Sequence, residues 1–109
     1  LYMILAILWA AIFSSIELFY AKAFLFRGDF AGQANVGPED LLIEMTYFSF
    51  VTLSTLGYGD ITPANLVARN WAAMEAMVGQ FFIAIVIARL VSIYTQQADA
   101  EQRGSRVNL

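Results

Sequence analysis

Thr55-Leu56-Gly57-Tyr58-Gly59-Asp60 lies near the middle of a 109-residue chain, between two long apolar segments. Gly57 and Gly59 are separated by one residue. In an extended strand successive carbonyls alternate sides. Placing alternate residues at φ > 0 cancels that alternation, and glycine enters this region at little cost. A loop built this way stacks the carbonyl oxygens of Thr55, Leu56, Gly57 and Tyr58, with the Thr55 hydroxyl below them. Uncharged hard oxygens in such a column can replace the water shell of a monovalent cation.

With Ser54 before it and Ile61-Thr62-Pro63 after it, the stretch resembles the selectivity filter of the tetrameric potassium channels. Leu56 departs from the family's usual Val. An apolar segment, a short amphipathic segment, the loop and a second apolar segment match the two-transmembrane pore module over residues 1–96. The resemblance implies an all-α membrane protein: two transmembrane helices with a re-entrant pore helix and filter loop, assembled as a homotetramer. It implies passive potassium conduction, with K+ held along Thr55, Leu56, Gly57, Tyr58 and Gly59 and no cofactor besides these ions. It also implies a multi-pass protein of the cell membrane with both termini cytoplasmic.

Composition points the same way without the motif. Hydrophobic residues make up 60 % of the chain and charged residues 14 %, against roughly half and a quarter in soluble domains. A soluble chain of this size, one domain at most, could not hide so much apolar surface. There is no cysteine and no histidine, which argues against disulfides, zinc sites and histidine-based acid-base chemistry. The net charge of −3 argues against nucleic-acid binding. The chain begins at Leu1 inside an apolar run, which reads as a trimmed end without the basic region of a signal peptide.

Taken in order, residues 1–26 read as an outer spanning helix, about 39 Å long and sufficient for ~30 Å of hydrocarbon. Glu17 in its second half reads as a structural acid facing a neighbouring helix. Residues 27–38 are rich in turn formers and would be the turret. Pro38-Glu39-Asp40 suits a helix start, and residues 39–52 form a helix of ~21 Å, too short to span. Such a segment returns within the membrane only if protein or water surrounds it, so partner chains are implied. By resemblance it is the pore helix, with Tyr47, Phe48 and Phe50 packed behind the filter of residues 54–60. Thr62-Pro63 reads as the cap of an inner helix over residues 64–95, followed by a polar cytosolic tail, 97–109, that starts helical and frays.

Further roles come from the resemblance. Tyr47 stands where the family often has a Trp bound to the acid above the filter, so a Tyr47–Asp60 hydrogen bond is expected as filter support. Val51 replaces a Glu that some members use as a second tether. Leu56 is expected to point away from the pore, against the pore helix. Gly79 is either a gating hinge or a small residue permitting close helix approach. Gln80, Ile83, Ile87 and Val91 fall on one helical stripe and would line the cavity, with Ala88 near the inner narrowing.

Seven acids (Glu17, Asp29, Glu39, Asp40, Glu44, Asp60 and Glu75) fall in the outer half against Lys22, Arg27 and Arg69. Repeated fourfold, that balance would concentrate cations at the mouth. No Arg-rich voltage-sensing helix or nucleophile-base pair is visible. Two other readings compete: a weakly selective sodium and potassium channel, and a non-conducting membrane sensor subunit.

Overall fold

The computed structural model describes residues 1–27 and 37–107. The elements follow in the order α1 (Tyr2–Phe19), β1 (Phe24–Phe26), α2 (Pro38–Leu53), β2 (Ile61–Pro63) and α3 (Leu66–Val107). The chain is mostly helical, and α1 and α3 are long and apolar enough to cross a membrane. Most of the expected turret, residues 28–36, lies outside the described residues.

The first helix stops at Phe19, seven residues before the expected end at Phe26. The cause is Glu17. Its carboxylate accepts hydrogen bonds from the backbone N–H of Lys22 at 3.1 Å and of Phe24 at 2.9 Å, while Lys22 takes φ 67°. Glu17, expected to face a neighbouring helix, instead spends its carboxylate on the turn that follows its own helix. After the turn, Phe24-Leu25-Phe26 pairs antiparallel with Ile61-Thr62-Pro63, Leu25 opposite Thr62. Backbone bonds from Arg27 N–H to the Asp60 carbonyl (2.8 Å) and from Ala64 N–H to the Ala23 carbonyl (2.7 Å) extend the ribbon at both ends.

Helix α2 starts where its caps dictate: Gly37 is extended at the N-cap, Pro38 follows, and Glu39 and Asp40 occupy the first turn. Helix α3 starts later than expected. Thr62 and Pro63 belong to β2, and the cap is Asn65, whose Oδ1 accepts from Ala68 N–H at 2.7 Å. The helix then runs 42 residues to Val107, about 63 Å, so residues 97–107 of the expected tail continue it.

Contacts fix how the helices lie. Tyr2 reaches Leu53 and Ala6 reaches Ser49, so α1 runs antiparallel to α2. Ser49 meets Glu75, and Leu53 abuts Gly79, so α3 runs parallel to α2. The buried positions of α3 are Ala68, Ala72, Glu75 and Gly79, and the three small ones let the helices approach closely. Phe13 from α1, Phe24 from β1 and Phe48 from α2 meet edge-to-face at 5.2–5.6 Å between centroids. Trp9, deep in α1, packs edge-on against Trp71 at 5.7 Å. Aromatic pairs at these spacings add ~0.5–1.5 kcal/mol each beyond area burial. Below Phe82, α3 carries a long exposed apolar surface that includes Ile85, Ile87, Leu90, Val91 and Ile93.

Candidate functional site

The loop after α2 begins as a helix cap. Ser54 is the last αR residue, Thr55 takes φ 60°, and two backbone bonds close the end. Thr55 N–H donates to the Thr52 carbonyl at 3.0 Å, and Leu56 N–H donates to the Val51 carbonyl at 2.9 Å. This is a Schellman arrangement, with Thr at the left-handed position where glycine is usual. A β-branched residue there is strained by ~1–2 kcal/mol. Gly57 and Gly59 follow at φ 58° and 78°. Every second residue from 55 to 59 is thus left-handed, a longer alternation than the glycines alone announce.

Gly57 N–H also bonds the Val51 carbonyl, at 3.3 Å. The carbonyls of Thr55, Leu56, Gly57, Tyr58 and Gly59 accept no hydrogen bond from the described residues. The amide donors at the foot of the loop face the helix end, while the acceptor oxygens are left unclaimed. A Cβ placed on Gly57 or Gly59 would meet nothing within 4 Å, so backbone conformation, not space, requires glycine there.

Asp60 closes the loop. Its Oδ2 accepts from the Tyr47 hydroxyl at 2.7 Å, its Oδ1 from Ile61 N–H at 3.0 Å and its carbonyl from Arg27 N–H at 2.8 Å. The Tyr47 hydroxyl, and after it the Ile61 amide, holds the Asp60 carboxyl below the usual carboxylate range, against the raising effect of desolvation. The bond pushes the Tyr47 phenol up to about 12. Glu44 is raised, first by partial burial and then by the Asp60 charge.

At the foot of the loop the Leu53 carbonyl accepts from the Tyr2 hydroxyl at 2.9 Å. The backbone of Leu53 lies against Gly79 so closely that a Cβ there would overlap its carbonyl oxygen and come within 3.0 Å of its Cδ1. Gly79 is therefore a close-packing position. Of the expected cavity residues, Ile83 and Ile87 join Ser54, Tyr2, Phe82 and Val86 around a hollow of about 270 Å³ beneath the loop. Gln80 and Ala88 are exposed and take no part in it.

Phe48 is buried with its ring against Phe13 and Phe24, not packed on the loop residues, and Val51 is buried. Leu56 differs: it is 57 % exposed rather than covered by α2, and Tyr58 is 68 % exposed. Glu75, counted above among the outer acids, is fully buried and does not lie on the surface. Asp29 lies outside the described residues.

The sequence reading missed the left-handed backbone of Thr55 and the roles of three residues: the cap Asn65, the anchor Tyr2 and the buried Ser49. Only Asn65 carried a local signal, an N-cap residue just before the helix.

The ion-channel family model matches residues 1–96. The chain belongs to the ion-channel family. It is accordingly a membrane protein and not an enzyme. It is similar to Two pore potassium channel c of Oryza sativa subsp. japonica, 38 % identical over 65 residues, covering 60 % of this chain and 14 % of that protein. It is 41 % identical over 51 residues to Two-pore potassium channel 3 of Arabidopsis thaliana, covering 47 % of this chain and 12 % of that one. Two-pore potassium channel 4 of Arabidopsis thaliana is 34 % identical over 67 residues, covering 62 % and 22 %. The chain thus spans less than a quarter of the length of these relatives.

Proposed function

We propose that the chain forms a potassium-selective pore in which four copies surround one axis and residues 54–60 are the filter. The observation that carries this reading is the left-handed alternation at Thr55, Gly57 and Gly59, joined to carbonyls that accept no bond from the described residues. Alternating handedness turns successive peptide oxygens to one side. K+ would then exchange water for the oxygens of Thr55, Leu56, Gly57, Tyr58 and Gly59, and move as neighbouring ions repel one another along adjacent sites. The relatives' names, all potassium channels, support K+ as the ion.

Fourfold assembly supplies what one chain lacks. Oxygens on one side of an ion leave the other side bare. Leu56, Tyr58 and the lower half of α3 are exposed in the lone chain, and neighbouring copies together with lipid would cover them. In this arrangement α2 is re-entrant, its C-terminal end directs partial negative charge toward the ion path, and both chain ends lie in the cytosol of a cell-membrane protein. Tyr47 and Asp60 brace the top of the filter. Gln80, Ile83, Ile87 and Ala88 line the water-filled path, and Gly79 seats α3 against α2. No cofactor takes part.

Flux from liposomes holding the purified chain tests the proposal, with potassium on one side and sodium on the other and barium as blocker. A large reversal-potential shift toward potassium is expected. A shift near zero would replace the proposal with a weakly selective cation pore, and no flux at all with a non-conducting subunit.

A further inference from the structure

Ser49 and Glu75 are both completely buried, at 0 % exposure, and join all three long helices. Ser49 Oγ lies 2.8 Å from the Ala6 carbonyl of α1 and in short contact with Glu75 Oε1 of α3. Glu75 Oε2 has no hydrogen-bond partner among the described residues. A serine hydroxyl has one proton to give, and a backbone carbonyl can only accept. If that proton went to Glu75, the Ser49 and Ala6 oxygens would face each other at 2.8 Å with no hydrogen between them. It therefore goes to Ala6, and the Ser49–Glu75 contact needs a second proton, which only a protonated carboxyl can supply. An ionised Glu75 would moreover be a charge sealed from water, with one oxygen unpartnered, an arrangement proteins avoid. The groups that meet it from the other elements, Ser49 and through it Ala6, are both uncharged.

We propose that Glu75 is held as a neutral carboxylic acid that donates to Ser49, and that the relay from Glu75 through Ser49 to the Ala6 carbonyl is a positioning device for the filter. Helix α2 is then gripped at three heights: Tyr47 to Asp60 at the top, Tyr2 and Gly79 on Leu53 at the bottom, and this relay between them. The relay fixes the depth and rotation of the helix from which residues 54–60 emerge. Glu75 touches no ion and acts through Ser49. Its effect on conduction rests on the pore reading above; its protonation does not.

The test has two arms. Infrared spectra are taken of the full chain in lipid at neutral pH, with carbon-13 in the glutamate carboxyl groups. They should show a protonated-acid carbonyl stretch that resists exchange in heavy water, because Glu75 alone among the described glutamates is fully buried. Detection of ionised carboxylates only would overturn the proposal, whether or not any variant folds. In conducting tetramers, Glu75→Gln keeps a donor at the same length and should retain potassium selectivity and open lifetime within about twofold. Glu75→Ala and Ser49→Ala should each shorten open lifetime about tenfold, and together no further, as members of one relay do. A Glu75→Gln channel that assembles yet is as impaired as Glu75→Ala would also overturn it. A parent chain that passes no potassium would defeat the pore reading and leave the infrared result to decide the protonation.

Discussion

Tyr47 and Asp60 show how one pair of side chains couples two segments thirteen residues apart. The bond lowers the carboxyl and raises the phenol, and the signs set a pH window. A carboxyl held below its ordinary value stabilises the fold at pH above that value, ~3.9, and the contribution is lost as pH falls through the lowered one. A phenol raised from ~10 contributes fully below that pH, and its share is lost as pH rises through about 12. Tyr47→Phe should therefore shorten open lifetime severalfold and shift the acid loss of current to higher pH. An unchanged open lifetime would remove Tyr47 from filter support. Thr55 poses a different contest. Glycine there would relieve ~1–2 kcal/mol of left-handed strain against ~0.5–1 kcal/mol of added chain entropy. Thr55→Gly should thus unfold in detergent no earlier than the parent, yet lose ion selectivity with its hydroxyl. Early unfolding would show that the side chain, not the cap, holds the loop.

At the scale of elements, the contact of α2 with α3 turns on Gly79. Alanine in a helix interior gains ~1 kcal/mol of propensity over glycine. Overpacking against a backbone carbonyl, which cannot rotate away, costs ~1–3 kcal/mol. The clash should win: Gly79→Ala is expected to lower the thermal midpoint of the assembled protein, and a neutral or stabilising result would mean that the helices separate readily. Asn65→Ala removes a cap worth ~1 kcal/mol at the start of a 42-residue helix. It should fray the outer end of α3, read as faster amide exchange at residues 66–69 with little change below. The elements were only partly legible in sequence. Phe24-Leu25-Phe26 fits helix or strand equally by its apolar pattern. Its strand partner lies more than thirty residues away at Ile61–Pro63, and the break before it is made by a side chain, Glu17, folding back on the backbone.

For the whole molecule, the proposed pore would cover the exposed apolar flank of α3 with lipid and other copies, and would place the unclaimed loop oxygens around one axis. Cross-linking in native-like lipid should end at four chains; a dimer would refute the pore geometry. In the proposed pore the outer surface would keep Glu39 and Asp40, exposed at the start of α2, while Glu75 is buried. Glu39→Gln with Asp40→Asn should lower potassium current at low salt and change it little above ~0.1 M, where screening falls to about 10 Å. Equal loss at both salts would rule out steering.

The sequence alone determined that this is a membrane chain with two segments long and apolar enough to span, and a loop whose glycines permit stacked oxygens. Those properties follow from apolar run length and from the φ freedom of single residues. Tertiary structure decided which residues meet: Tyr47 with Asp60 was expected only from a family likeness, and Ser49 with Glu75 and Tyr2 with Leu53 were not expected. The physical reason is that a hydrogen bond between segments depends on helix depth and rotation. These are set by the packing of Ala68, Ala72, Gly79 and the aromatic cluster together, and no local stretch encodes them.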